Sequence, residues 1–133
     1  MSTSDELREL ETALQIDRDD LDRCLVEQPG SFYQVAKAVS IAHSERLGLK
    51  FQLKKAEAAL NRQLRETAIK NSEKLTETAL RNRLLLMPTI KKLKQQLLKA
   101  NQQTRRTWAL AKAFQQRSYM LRLAISRRSY GKV

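Results

Sequence analysis

The chain has 133 residues, with 26 Lys or Arg against 14 Asp or Glu and a formal net charge of +12. A single cysteine (Cys24) and a single histidine (His43) exclude a disulfide framework, a cysteine zinc site and a histidine-based triad within one chain. Leu, Ala, Gln, Lys, Arg and Glu dominate, all good helix formers, and three Gly and two Pro leave little for turns, so an all-α protein of one domain, 1–133, is predicted.

The charge is unevenly placed. Residues 1–30 carry nine acidic and three basic side chains, and residues 31–77 carry nine basic and five acidic. Residues 78–133 carry fourteen Lys or Arg and no carboxylate. Solvated helices ordinarily interleave both signs to form i,i+4 pairs. A long one-signed stretch repels itself and calls for a counter-charge, usually nucleic acid. The bland alternative is a solvated basic face that only keeps the chain in solution.

In chain order, Ser4 is a good N-cap, with Asp5 and Glu6 placed where the helix dipole favours them, and Leu7, Leu10 and Leu14 predict a helix over about 5–14. Asp19 or Asp20 caps a short second helix carrying Leu21, Cys24 and Leu25, which Gln28-Pro29-Gly30 is expected to end. Residues 31–70 are predicted to form one long helix. Phe32, Val35, Val39, Ala42, Arg46, Leu49, Leu53, Ala56 and Leu60 make a seam in steps of three and four that is apolar except at Arg46.

Asn71-Ser72-Glu73-Lys74 reads as a turn, and Thr76 caps the next helix, with Glu77 in its first turn. The basic helical region spans 76–127, with residues 128–133 as a basic tail. Within it, Pro88 either kinks the helix or opens a new one. The seam is expected to continue through Ile90, Leu93, Leu97, Ala100, Thr104, Trp108, Ala111 and Phe114, then Leu121 and Ile125. Two helices of equal length, 31–70 and 88–127, predict a long antiparallel hairpin with a small N-terminal helical unit. Its seam is too long for a monomer to cover, which predicts a homo-oligomer.

No Gly-rich phosphate loop, HExxH or nucleophile elbow is present, so no enzyme and no cofactor is expected. Asp17, Asp19, Asp20 and Asp22 lack the Gly and Glu of a calcium loop and read as capping residues that could also neutralise a neighbour's basic helix. No metal is expected. Residues 1–15 lack the apolar run of a secretory signal, and Leu84-Leu85-Leu86-Met87 is too short to span a bilayer, so a soluble, cytoplasmic protein is expected, with no membrane partner.

The candidate phosphate contacts are Lys91, Lys92, Lys94, Lys99, Arg105, Arg106, Lys112, Arg117, Arg122, Arg127 and Arg128, cations spaced along a helix that can track a backbone without reading base edges. Trp108, Tyr119 and Tyr130 are candidate stacking platforms for bases. The competing reading places Trp108 in the helix seam. Three functions are compatible with this pattern: single-stranded DNA binding, a coiled-coil assembly protein whose basic helix meets an acidic protein, and a membrane-surface bundle. The third is weakened because the basic helix has few bulky apolar residues that the seam does not already use.

Ile16-Asp17 with Leu21, the basic Leu60-x-Arg62-x-Leu64-Arg65 stretch, Lys74-x-Thr76-Glu77, and Trp108-x-Leu110 followed by Ala113-Phe114 and Met120-Leu121-x-Leu123 span nearly the whole chain. In this architecture and these anchors the sequence resembles the bacteriophage recombination mediator family, the UvsY-like proteins; Pro88 departs from the pattern. The resemblance implies a ring-like homo-oligomer that binds single-stranded DNA and helps a recombinase displace a single-strand-binding protein, in the cytoplasm of an infected bacterial host. It also implies that the family's basic patch falls on Arg62 and Arg65.

Overall fold

The computed structural model describes residues 3–130, and the side chains of residues 4–128. Four helices succeed one another: α1 (Thr3–Ala13), α2 (Leu21–Lys70), α3 (Glu77–Leu86) and α4 (Pro88–Tyr130). No strand occurs among the described residues. The chain divides into two compact units, one made of Met1–Ala42 with Gln103–Val133 and the other of His43–Gln102.

In the first unit the start of α2 pairs with the end of α4, and α1 lies against both. Leu7, Val35, Leu110 and Phe114 form one buried cluster, with Leu10, Leu14, Phe32, Ala38 and Ala111 packed around it. Leu21, Cys24 and Leu121 form a second, flanked by Ile16, Ala124 and Ile125. Leu21 meets Leu121 while Val35 meets Leu110, so the two long helices run antiparallel here, as the hairpin requires. Fully burying each large aliphatic or aromatic side chain contributes about 1.5–3 kcal/mol.

The expected break at Gln28-Pro29-Gly30 does not occur: α2 is continuous from Leu21 to Lys70 and contains Pro29. Leu21, Cys24, Gln28, Val35 and Ala42 are buried on one face, in register on both sides of the proline. Pro29 itself is exposed, and the ladder bond it cannot donate would have gone to the carbonyl of Leu25, on the solvent side. Packing on the far face therefore outweighs the local breaker. Pro29→Ala is expected to raise the unfolding free energy by about 2 kcal/mol: roughly 3 kcal/mol of helix penalty relieved, less about 1 kcal/mol of lost restriction on the unfolded chain. Urea denaturation of the two proteins measures it.

The loop before α2 is held by its own acids. The Asp20 carboxylate accepts from the backbone N–H of Arg23 at 3.3 Å, an N-cap. The Arg23 guanidinium then pairs with Asp20 at 3.0 Å, Asp17 at 3.3 Å and Glu27 at 3.7 Å. Its hydrogen bond to Asp20 and the charge of Glu27 push its pKa up, so it stays charged.

In the second unit Ala68, Leu80 and Ile90 are buried, one each from α2, α3 and α4. The predicted seam cation, Arg46, is half-buried, and its Nε lacks a hydrogen-bond partner among the described residues. α2 ends in a Schellman motif. The N–H of Glu73 bonds the carbonyl of Ala68 at 2.9 Å and that of Ser72 bonds Ile69 at 3.2 Å, with Ser72 in the left-handed region at φ 53°. Thr76 caps α3, its hydroxyl accepting from Ala79 N–H at 3.1 Å. Arg65 of α2 reaches Glu77 at 2.6 Å and ties the two helices across the turn. Pro88 breaks the basic region rather than kinking it. Met87 sits in extended backbone at ψ 132°, as a residue before proline prefers, and Pro88 opens α4.

Candidate nucleic-acid interface

In the first unit, one face of α4 is committed to the core. Thr104, Thr107, Leu110, Phe114, Arg117 and Leu121 are buried at steps of three and four. Trp108, expected in this seam, is not there: Thr107 takes the place, its hydroxyl satisfied by the carbonyl of Thr104 at 3.0 Å. Both 104-107-111 and 104-108-111 fit a helical seam, and α1 packing against α4 draws the buried stripe towards Leu110 and away from position 108.

The opposite face carries Arg105, Trp108, Lys112, Gln116, Tyr119, Leu123 and Arg127, again at steps of three and four, all exposed. Trp108 is 53% and Tyr119 57% exposed. Arg105, Lys112, Arg122 and Arg127 make no ion pair among the described residues. Aromatic rings and unpaired cations thus interleave along one side of the helix, with successive members about 4.5–6 Å apart along its axis.

The remaining predicted cations of this unit have other duties. Arg106 pairs with Glu11 of α1 at 2.9 Å and Arg128 with Asp22 of α2 at 3.1 Å. The acidic N-terminal residues therefore neutralise basic residues of their own chain. Such half-exposed pairs contribute about 0–1 kcal/mol each and leave both arginines accessible.

Arg117 is buried, contrary to expectation. The sequence places it among the phosphate contacts, but it is 5% exposed. Its Nε donates to the carbonyl of Leu14 at 3.2 Å, just beyond the end of α1, where the helix dipole is negative. A second nitrogen donates to Gln28 Oε1, and the guanidinium lies 5.8 Å from the centre of the Phe114 ring. Gln28 in turn donates to the carbonyl of Phe114 at 2.8 Å. Arg117 joins α1, α2 and α4 and is closed to a nucleic acid. The side chain of Tyr130 lies outside the described residues.

In the second unit Lys91, Lys92, Lys94 and Lys99 are exposed on the first turns of α4 and free of ion pairs among the described residues. Arg62 and Arg65 are exposed but engaged: Arg62 pairs with Glu66 at 3.2 Å, and Arg65 bonds Asn61 at 2.8 Å besides Glu77. Their positive field is locally offset, unlike that of the α4 lysines.

Among the described residues no group of three or more His, Cys, Asp or Glu is placed to hold a metal ion, and no helix is long and apolar enough to cross a membrane. No protein-family model, no curated protein and no solved structure matches this chain.

Proposed function

We propose that the chain is a non-enzymatic protein that binds single-stranded DNA through the outward face of α4. The observation that carries this reading is the exposure of Trp108 between the unpaired cations Arg105 and Lys112, and of Tyr119 between Lys112 and Arg127. Exposing two large rings to water on a helix that has a core available is costly unless something covers them. Unstacked bases do so, and their phosphates supply the missing counter-charge. Lys91, Lys92, Lys94 and Lys99 extend the same chemistry in the second unit. The resemblance to phage recombination mediators adds the biological role: loading a recombinase onto DNA covered by single-strand-binding protein, in the cytoplasm of an infected host. Arg62 and Arg65 belong to this role through that resemblance.

Trp108 is the only tryptophan, so the protein carries its own probe. Titration with oligo-dT is expected to quench its fluorescence. Trp108→Ala is expected to weaken binding by roughly 1–3 kcal/mol, and Trp108→Phe to retain most of it. Arg105→Ala with Lys112→Ala is expected to lower the log–log salt slope by about 1.4, two phosphate contacts on a single strand. Parallel titrations of Lys91→Ala with Lys92→Ala, and of Arg62→Ala with Arg65→Ala, show whether the second unit shares the strand. Absence of quenching, together with an unchanged slope in all three pairs, refutes the proposal.

The reading includes self-assembly into a ring-like homo-oligomer. Val26 is 79% and Tyr33 65% exposed in the first unit, and Phe51 69% and Ile69 77% in the second, all on α2, so apolar surface remains for a second copy. The same surface favours the competing reading, a coiled-coil assembly protein whose basic helix meets an acidic protein. Light scattering tests the assembly: a single species at the monomer mass of 15.4 kDa removes it. The oligo-dT titration separates the two functions.

A further inference from the structure

The first unit holds a second recognition surface of opposite sign. α1 and the segment of α2 beside it leave a groove of about 650 Å³ between them. Its floor is apolar, built from Leu10, Ala38 and Ile41, and Ile41 is 46% exposed. Glu6 and Glu9 stand on the α1 rim, and Lys37 stands on the α2 rim. Neither glutamate has an ion-pair partner among the described residues, in a chain whose net charge is +12.

We propose that this groove docks a short amphipathic helix of another protein, its apolar side on Leu10, Ala38 and Ile41 and its Lys or Arg flank along Glu6 and Glu9. An apolar trough between charged rims is an arrangement by which a groove holds an amphipathic helix through anchors at three- and four-residue spacing. The volume suits a few such anchors. The sign of the rim selects the partner: carboxylates repel a phosphate backbone and attract a basic flank, steering encounter as well as register. Lys37 on the opposite rim disfavours a second basic flank and so fixes which way round the helix lies. The groove is lined by α1 and α2 and not by the α4 face assigned to DNA, so a docked helix and a DNA strand can be held together.

The test uses the full chain and a fluorescently labelled synthetic helix with leucines at three- and four-residue spacing and lysines along one flank. A scrambled peptide of the same composition is the control. Anisotropy is expected to show binding of the helix and at least about tenfold weaker binding of the scrambled peptide. Glu6→Gln with Glu9→Gln, and separately Ile41→Gln, are each expected to weaken the helix about tenfold. Asp19→Asn removes an acid outside the groove and is expected to leave binding unchanged, as are all three for oligo-dT quenching of Trp108. Circular dichroism confirms that α1 is retained. Equal binding of both peptides, or equal loss with Asp19→Asn, overturns the proposal in favour of diffuse attraction. Failure of the helix to bind also overturns it, and so does dissociation of a self-assembled species by Ile41→Gln, which assigns the groove to a second copy. A loss of DNA binding elsewhere does not bear on these outcomes.

Discussion

Phe114→Ala is expected to lower the unfolding free energy by about 4 kcal/mol, within the range for removing a fully enclosed aromatic side chain. The ring is 0% exposed and touches the cluster of Leu7, Val35 and Leu110, so one truncation loosens α1, α2 and α4 together. It also withdraws the ring face from Arg117. Guanidinium denaturation measures the loss. Phe114→Leu, which keeps most of the volume, is expected to cost less than half as much. A loss below about 1.5 kcal/mol for the alanine variant would show that this cluster collapses freely and is not a rigid core.

The second large effect is at Arg117. Arg117→Ala is expected to cost about 3 kcal/mol, because the Leu14 carbonyl and Gln28 Oε1 lose a charged donor in a buried setting. Arg117→Met combined with Gln28→Leu is expected to recover most of that loss. The pair then presents apolar groups to each other and no stranded side-chain acceptor remains. The double-mutant cycle should therefore show a coupling of roughly 1–3 kcal/mol. Strict additivity would mean the two side chains act independently. Neither change is expected to alter the salt dependence of oligo-dT binding once the protein is folded, which separates this arginine from Arg105 and Lys112.

Helix content, the antiparallel pairing, the turn at Asn71–Lys74 and the Thr76 cap are legible in the sequence, whereas Pro88 leaves a kink and a new start both open until the extended backbone of Met87 decides it. Three features are not legible. Pro29 reads as a stop because proline penalties are local, whereas the seam from Leu21 to Val35 that overrides them becomes visible only when α4 lies against it. Trp108 and Thr107 are adjacent candidates for one seam, and the choice depends on where α1 packs. Arg117 counts as one more cation until its neighbours are known, since nothing in its sequence context announces Leu14 and Gln28, 103 and 89 positions away. In the candidate interface, the acid-free run exposes the charge but cannot sort it. Pairing with Glu11 and Asp22 sets Arg106 and Arg128 apart from Arg105 and Lys112.

The division of the chain has a consequence for how it folds. The second unit is one uninterrupted segment, and its ties, such as Arg65 to Glu77 and Arg83 to Glu73, join residues 12 and 10 positions apart. The first unit is assembled from both ends, and Arg128 meets Asp22 across 106 positions. Contact order is therefore low in the middle of the chain and high at its ends, and loop-closure entropy favours the middle forming first. On the ribosome, Leu7 and Val35 wait without their partners until Leu110 and Phe114 have emerged. For that interval the nascent chain displays apolar residues that the finished first unit encloses.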